Sequence, residues 1–151
     1  MTIHWIIRVG DGENFRNSRF PFWGVKRGHG GGIKTVVKKI KKGDIIWFLT
    51  SSKYGGKLIG MCVFCQYYDR LDEPLLPINT VTNEEQNWVG DEAWDIQLQY
   101  TNLYVTEKQN IKGCIQCGGI VLEYEKFKDK IVGDLYQHYC NFKYYAECKS
   151  M

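Results

Sequence analysis

This sequence has little proline and no long apolar run. Only 3 of its 151 residues are prolines, and no segment approaches the roughly 20 apolar residues that a membrane-spanning helix requires. The first residues lack the basic segment and following apolar segment of a secretory signal peptide, and no Asn-x-Ser/Thr glycosylation acceptor occurs. We therefore expect a single intracellular domain, cytoplasmic or nuclear, over residues 1–151, without a membrane-embedded part.

The motifs of common catalytic sites are absent as well. There is no Gly-x-Ser-x-Gly elbow and no His-Glu-x-x-His pair. The glycine-rich run that begins at Gly28 leads to Ile33 where a P-loop requires glycine. The three histidines are far apart in the sequence. These absences favour binding over bond-breaking chemistry, so we predict no catalytic residue and no cofactor.

Four of the six cysteines form two Cys-x-x-Cys pairs, a spacing that is typical of zinc sites. Cys62 and Cys65 lie within a predicted strand, where side chains three residues apart point to opposite faces, so we expect them to pack rather than bind metal. Cys114 and Cys117 are followed by glycines and make a better zinc knuckle. Two further ligands would then be needed from Cys140, Cys148 or His138. We predict no metal site, and zinc at Cys114 and Cys117 remains an alternative.

The charges are unevenly distributed, although the net charge is only +3. Between residues 26 and 42 the cations are Lys26, Arg27, Lys34, Lys38, Lys39, Lys41 and Lys42. Residues 69–95 are acidic, with Arg70 as their one cation. This asymmetry predicts one basic and one acidic face. Alternatively, the lysines at 38–42 are only the solvated side of a short helix.

The apolar spacing predicts an α+β domain built on a mainly antiparallel, partly closed sheet. We expect strands at residues 3–9, 44–49, 57–68 and 94–105, and a hairpin turn at 53–56. A helix is predicted at 33–40, stopped by Gly43, and a helical turn at 82–88 with Thr82 and Glu85 as a capping box. Residues 15–22 read as an irregular or briefly helical loop, and 120–140 as a strand followed by a helix.

The tryptophans are the candidate ligand-stacking residues. Trp5 lies on the first strand and is expected in the core. Alternation places Trp47 on the opposite face from Ile46 and Phe48, toward a pocket or a second layer. The remaining three, Trp23, Trp88 and Trp94, are predicted to lie in loops. Because stacking of a base on an aromatic ring is worth about 1–3 kcal/mol, we expect at least one tryptophan to stack on a ligand.

The order of these elements resembles a known family. An aromatic-Trp-Gly-Val element at 22–25 is followed by an amphipathic helix that ends in Lys-Lys-Gly-Asp at 41–44. A strand ending in serine and the Ile-Gly-Met-Cys-Val strand at 59–63 come next. This order resembles the EVE domain of the PUA-like superfamily, which includes YTH and ASCH domains. The likeness covers about the first two-thirds of the chain, and an extension from about residue 111 stays unassigned.

The resemblance implies a small, mainly antiparallel PUA-like β-barrel with flanking helices. It further implies a nucleic-acid-binding module, for DNA or RNA, that reads a modified, methylated base in an aromatic pocket. The implied pocket residues are Trp23, Gly24, Val25, Trp47, Ser51, Trp88 and Trp94. The phosphate-binding residues would be Lys26, Arg27, Lys34 and Lys38. After Trp-Gly-Val the chain has Lys26-Arg27 and a glycine-rich insert, where EVE domains more often continue with Arg-Asn.

Two other functions stay open from the sequence. An ASCH-like hydrolase of modified nucleosides or RNA would need a convergent set such as Lys34, Thr35 and Asp44. A protein-interaction module would use the acidic surface of residues 69–95.

Overall fold

The computed structural model describes residues 2–72, 82–90, 94–105, 120–127 and 147–149. The strands are β1 (His4–Arg8), β2 (Phe22–Val25), β3 (Ile45–Leu49), β4 (Leu58–Asp69), β5 (Ile96–Val105), β6 (Val121–Glu123) and β7 (Glu147–Lys149). The helices are α1 (Glu13–Asn17), α2 (Gly32–Val37), α3 (Asn83–Gln86) and α4 (Tyr124–Phe127). Single 3-10 turns lie at His29–Gly31 and Ser52–Tyr54.

The described strands form one curled, barrel-like mixed sheet. Their order is β2-β5-β4-β3-β1-β6, and β7 pairs with β5. Strand β1 runs parallel to β3, whereas the other pairings of the described strands are antiparallel. The prediction of a small α+β domain is therefore confirmed. The predicted strand followed by a helix near residue 120 matches β6 and α4, and residues 128–140 lie outside the described part.

The hairpin of β3 and β4 forms the middle of the sheet and buries both of its faces. Ile46 and Phe48 point into the larger hydrophobic cluster, whereas Trp47 points into a second cluster on the opposite face. This confirms the predicted alternation, with Trp47 facing a second layer. Cys62 is fully buried in the larger cluster and Cys65 is half-buried. The expectation that Cys62 packs in the core is therefore confirmed.

Helix α2 packs one apolar side against the larger cluster. Val37 and Ile40 are buried, and Ile33 and Val36 contact the same cluster. The α-helix ends at Val37, three residues before the predicted end, and Gly43 has a φ of +94° that favours glycine. The capping box predicted for α3 is also present, since Thr82 and Glu85 each accept the other's backbone N–H.

Strand β2 corrects the sequence interpretation. Trp23 was predicted to lie in a loop, but it is on β2 and is 8% exposed. The four residues of β2 pair with β5, where Phe22 is opposite Gln99. A short strand that follows a proline and contains Gly24 has no local periodicity, so only this distant partner fixes it as a strand.

Asp44 fastens the start of β3 to its surroundings. Its carboxylate accepts hydrogen bonds from the Trp5 indole Nε1 at 3.0 Å, from the Lys41 backbone at 2.9 Å and from the Ile3 backbone at 3.2 Å. The side chain is buried. Asp44 therefore has a structural role, because its buried carboxylate accepts hydrogen bonds from three donors.

Within the described ranges, no helix is long and apolar enough to span a bilayer. The same part of the chain contains no group of side chains that could hold a metal ion. The predicted alternative of zinc at Cys114 and Cys117 falls outside the described residues.

Candidate ligand-binding cavity

A cavity of about 240 Å³ opens between the end of β1 and strand β2. Its walls come from residues 8–11 and Asn14, from residues 23–26, and from Trp94 and Ile120. The lining is mostly apolar, and its polar side chains belong to Arg8, Asp11, Asn14 and Lys26. Four of the predicted pocket residues meet here, namely Trp23, Gly24, Val25 and Trp94, together with the predicted phosphate-binding residue Lys26.

Gly24 allows Trp94 to form one wall of the cavity. A Cβ at Gly24 would fall on the Trp94 ring, 2.6 Å from its Cβ and 2.8 Å from its Cδ1. Real atoms do not approach so closely, so only glycine fits beneath the ring. Over the Trp94 ring lies the Lys26 ammonium, with Nζ 5.6 Å from the ring centroid. This distance is within the range of a cation–π contact.

Trp23 belongs both to the cavity wall and to the core. Its ring meets Phe15 edge-on with centroids 6.1 Å apart, and Trp88 with centroids 5.1 Å apart. Trp88 itself donates from Nε1 to Ser18 Oγ at 2.7 Å and does not line the cavity. Trp88 therefore supports Trp23 from behind, and these contacts hold the Trp23 ring in one orientation.

The last residue of β1 and the turn that follows it supply polar groups that the sequence interpretation missed. Arg8 donates from Nη1 to Ser52 Oγ at 3.2 Å. Partial burial lowers the pKa of Arg8, but an arginine side chain remains cationic in proteins. Asp11 Oδ1 accepts the Glu13 backbone N–H at 2.9 Å. The signal in the sequence was the Gly-Asp-Gly turn directly after a strand, since loops at strand ends often carry binding groups.

Asn14 fastens a neighbouring segment to the cavity rim. Its Oδ1 accepts the Val89 backbone N–H at 3.0 Å, and its Nδ2 donates to the Val89 carbonyl at 3.3 Å. Both ends of the amide are therefore engaged with one backbone residue. Asn14 holds residues 82–90 beside the cavity, together with the contact between Trp88 and Trp23.

Besides Trp88, two other predicted pocket residues lie outside the cavity lining. Trp47 is fully buried, and its Nε1 donates to His4 Nδ1 at 2.9 Å. Burial lowers the pKa of His4 although the Asp44 charge opposes this, and a neutral imidazole can accept that hydrogen bond. Ser51 does not line the cavity. It lies in the turn after β3, where its backbone N–H donates to the Gly10 carbonyl at 2.8 Å.

Arg27 and Lys34 form an ion cluster with two aspartates. Lys34 Nζ lies 2.6 Å from Asp69 Oδ2 and 3.0 Å from Asp72 Oδ2. Arg27 Nη2 lies 2.9 Å from Asp69 Oδ2 and also contacts Asp72. The predicted separation into one basic and one acidic face is wrong at this point, because cations of the first stretch are paired with carboxylates of the second.

The ion pairs of this cluster shift the pKa values of Asp69 and Lys34. The cluster also lies next to the cavity. Burial would raise the pKa of Asp69, but hydrogen bonds from Lys34, the Leu71 backbone and Arg27 outweigh it and lower that pKa. Burial would likewise lower the pKa of Lys34, but its hydrogen bonds to Asp69 and Asp72 raise it. The Arg27 backbone N–H also donates to Asp95 Oδ2 at 3.1 Å. Since Asp95 follows Trp94 in the sequence, these bonds fasten the end of β2 beside the cavity.

The residues of the hydrolase alternative have separate partners. Lys34 is held by the ion cluster, and Thr35 Oγ1 donates to the Gly31 carbonyl at 3.0 Å. Asp44 accepts the hydrogen bond from Trp5 Nε1.

Lys38 is the fourth of the predicted phosphate-binding residues. It is exposed at the end of α2.

No protein-family model matches this chain, and a search of curated proteins found no significant similarity.

Proposed function

We propose that this domain binds nucleic acid by taking one modified, methylated base into the cavity beside β2. The observation that carries the proposal is the meeting of Trp23, Gly24, Val25 and Trp94 around an apolar space of about 240 Å³. Pockets for drug-sized ligands measure about 300–1,000 Å³, so this space suits a single base better than a larger ligand. A base reaches such a pocket from a single strand or by flipping out of a duplex.

The binding free energy would come from two sources, which are stacking on the aromatic wall of the cavity and attraction between phosphates and the surrounding cations. Trp94 is half-buried, and a base that displaces the Lys26 ammonium from over its ring gains a stacking contact worth about 1–3 kcal/mol. Burial of one methyl group adds roughly 0.8 kcal/mol, so selectivity for methylation is modest. Trp23 is less suited to experiments on binding, because replacing such a buried tryptophan by alanine destabilises a core by about 3–5 kcal/mol.

The phosphate contacts follow from the positions of the cations. Arg8 and Lys26 line the cavity, and Lys38 is exposed on the protein surface. Arg27 and Lys34 were predicted to bind phosphates too, but their charges are balanced by Asp69 and Asp72. Because Arg8 and Lys26 line the cavity, we assign the phosphates beside the bound base to these two residues.

We further propose that the domain is of the EVE type within the PUA-like superfamily. The curled barrel-like sheet and the position of the Trp-Gly-Val element on β2, at the cavity, support this assignment. The hydrolase alternative has less support, because the raised pKa of Lys34 keeps its amine protonated and unable to act as a base. The protein-interaction alternative stays a prediction, with part of its acidic stretch outside the described residues.

Fluorescence anisotropy with labelled oligonucleotides tests the proposal. Single- and double-stranded DNA and RNA would carry plain bases, N6-methyladenine or 5-methylcytosine, each at two salt concentrations. We expect one modified base to bind about fourfold more tightly than its plain counterpart, the factor that one buried methyl group gives. This gain should persist at the higher salt, because stacking and methyl burial are not ionic. Equal affinity for modified and plain oligonucleotides would contradict the proposal.

Replacing Lys26 by glutamine should lower the affinity for plain and modified oligonucleotides by the same factor. A phosphate contact carries no base information, so the selectivity ratio should not change. The salt dependence should become less steep, by about 0.7–0.9 in the slope of log affinity against log salt.

Lys38→Ala, at the exposed end of α2, is also expected to weaken the binding of all sequences alike. A change in the selectivity ratio in either variant would show that the lysine contacts the base.

A further inference from the structure

We propose that Val89 enters the space that a base leaves in a duplex when it turns into the cavity, so that the domain takes its modified base from double-stranded nucleic acid. This inference rests on the proposed function and adds the strandedness of the ligand to it. Turning a base out of a duplex costs free energy, because its pairing and stacking are lost. An apolar side chain inserted between the neighbouring bases replaces part of that lost contact.

The first observation is the exposure of Val89. It is 86% exposed, the largest fraction among the exposed large hydrophobic residues of the described part of the chain. Single apolar side chains on a surface are common, so this exposure carries no inference by itself. Trp88, directly before it, is buried and packs in the larger hydrophobic cluster. The two neighbours thus differ in role, since Trp88 anchors the segment and Val89 is presented to solvent.

The second observation is that the backbone of Val89 is held in place. Asn14 accepts its N–H at 3.0 Å and donates to its carbonyl at 3.3 Å. On one side of it the Trp88 N–H donates to the Asn83 carbonyl at 2.8 Å, and on the other Asn83 Nδ2 donates to the Gly90 carbonyl at 3.0 Å. Valine is also branched at Cβ and therefore has few rotamers. Insertion of such a fixed side chain loses little conformational entropy.

The third observation is the position of Val89 beside the cavity. Asn14, which holds Val89, also lines the cavity. The ring of Trp88 contacts the wall residue Trp23, with centroids 5.1 Å apart. Val89 itself is not part of the lining. It therefore leaves the cavity free for a base and lies next to the place where the neighbours of that base would remain stacked.

Anisotropy titrations with matched single strands and duplexes test the inference. The oligonucleotides carry N6-methyladenine or 5-methylcytosine, in DNA and in RNA, so that they also show which kind of duplex is bound. The variant is Val89→Ala, which shortens an exposed side chain. We expect it to bind the modified duplex about 15-fold more weakly than wild type does, the factor that the loss of two buried methyl groups gives. Its affinity for the modified single strand should not change, because no base has to leave a stack of pairs there.

The controls separate this inference from the proposed function. Leu71→Ala also shortens an exposed apolar side chain outside the cavity lining, and it should bind both ligands as wild type does. Circular dichroism checks that both variants fold. Equal losses for duplex and single strand with Val89→Ala, or no loss for either, would overturn the inference. Wild type that binds the modified single strand but no duplex would overturn it too, and the proposed function would then stand. If wild type distinguishes modified from plain oligonucleotides in neither form, the proposed function itself fails, and the inference with it.

Discussion

Replacing Asp69 by alanine is expected to lower the free energy of unfolding by about 3 kcal/mol. The Asp69 side chain is 2% exposed and contacts both Arg27 and Lys34. Its removal leaves the Lys34 ammonium, 14% exposed, with only Asp72 as counter-charge. The Leu71 backbone N–H also loses its acceptor. Breaking one side of a buried ion pair is strongly destabilising because the remaining charge keeps its desolvation penalty.

The same residue should make stability depend on pH. The pKa of Asp69 is lower in the folded protein than its unfolded value of about 3.9. The unfolded chain therefore binds the proton more readily, and the stabilisation is fully present above about 3.9. It is lost as the pH falls through the folded pKa. Wild-type stability should thus fall more steeply in acid than that of Asp69→Ala.

Urea unfolding at a series of pH values measures both effects. Asp72→Ala is the matched control, since Asp72 contacts the same two cations but its side chain is 57% exposed. Asp72→Ala should lower the free energy of unfolding clearly less than Asp69→Ala does. The reason is that ion pairs of an exposed carboxylate are weak, since water solvates the charges when the pair is lost. Equal losses in the two variants would show that burial of Asp69 contributes nothing.

Gly24→Ala is expected to remove the preference for a modified base and to destabilise the fold by about 1–3 kcal/mol. A methyl group at this position cannot coexist with the Trp94 ring in its present place. Trp94 must move, and the cavity then loses the wall on which a base would stack. Loss of one stacking contact, worth about 1–3 kcal/mol, weakens binding by roughly five- to 100-fold.

Gly32→Ala provides the control for this substitution. A Cβ at Gly32 meets nothing within 4 Å, and its φ of −58° is helical. Alanine at the start of α2 should therefore be neutral or slightly stabilising. Anisotropy titrations and urea unfolding compare the two variants. Unchanged selectivity in Gly24→Ala would mean that the contact between Gly24 and Trp94 does not shape the binding site.

Local sequence patterns predicted the features of the fold that depend on residues close together in the sequence. The alternation of β3 placed Trp47 opposite Ile46 and Phe48, and the apolar spacing of α2 marked its buried side. The capping box of α3 is likewise encoded within four residues. For the cavity, the Trp-Gly-Val element led to the correct strand, although the strand itself was predicted as loop.

Contacts between distant residues were not predictable in this way. The pairing of Arg27 and Lys34 with Asp69 spans 42 and 35 residues, and only folding brings these charges together. The indole of Trp47 is occupied by His4, 43 residues away. A tryptophan that faces a ligand and one that faces a buried histidine look alike in sequence. Their partners decide the role, and those partners depend on sheet topology.

The most direct measurement of the central claim is a titration followed by ¹H–¹⁵N NMR of the indole N–H signals, assigned with single Trp→Phe variants. The ligand is a single-stranded oligonucleotide that carries one N6-methyladenine or 5-methylcytosine. We predict that the Trp94 signal shifts strongly on binding, with a smaller shift for Trp23. The Trp47 signal should stay in place, because that indole is fully buried and bonded to His4. Shifts confined to the backbone signals of the exposed lysines at 38–42, with Trp94 unchanged at saturation, would contradict the account and leave only a basic surface.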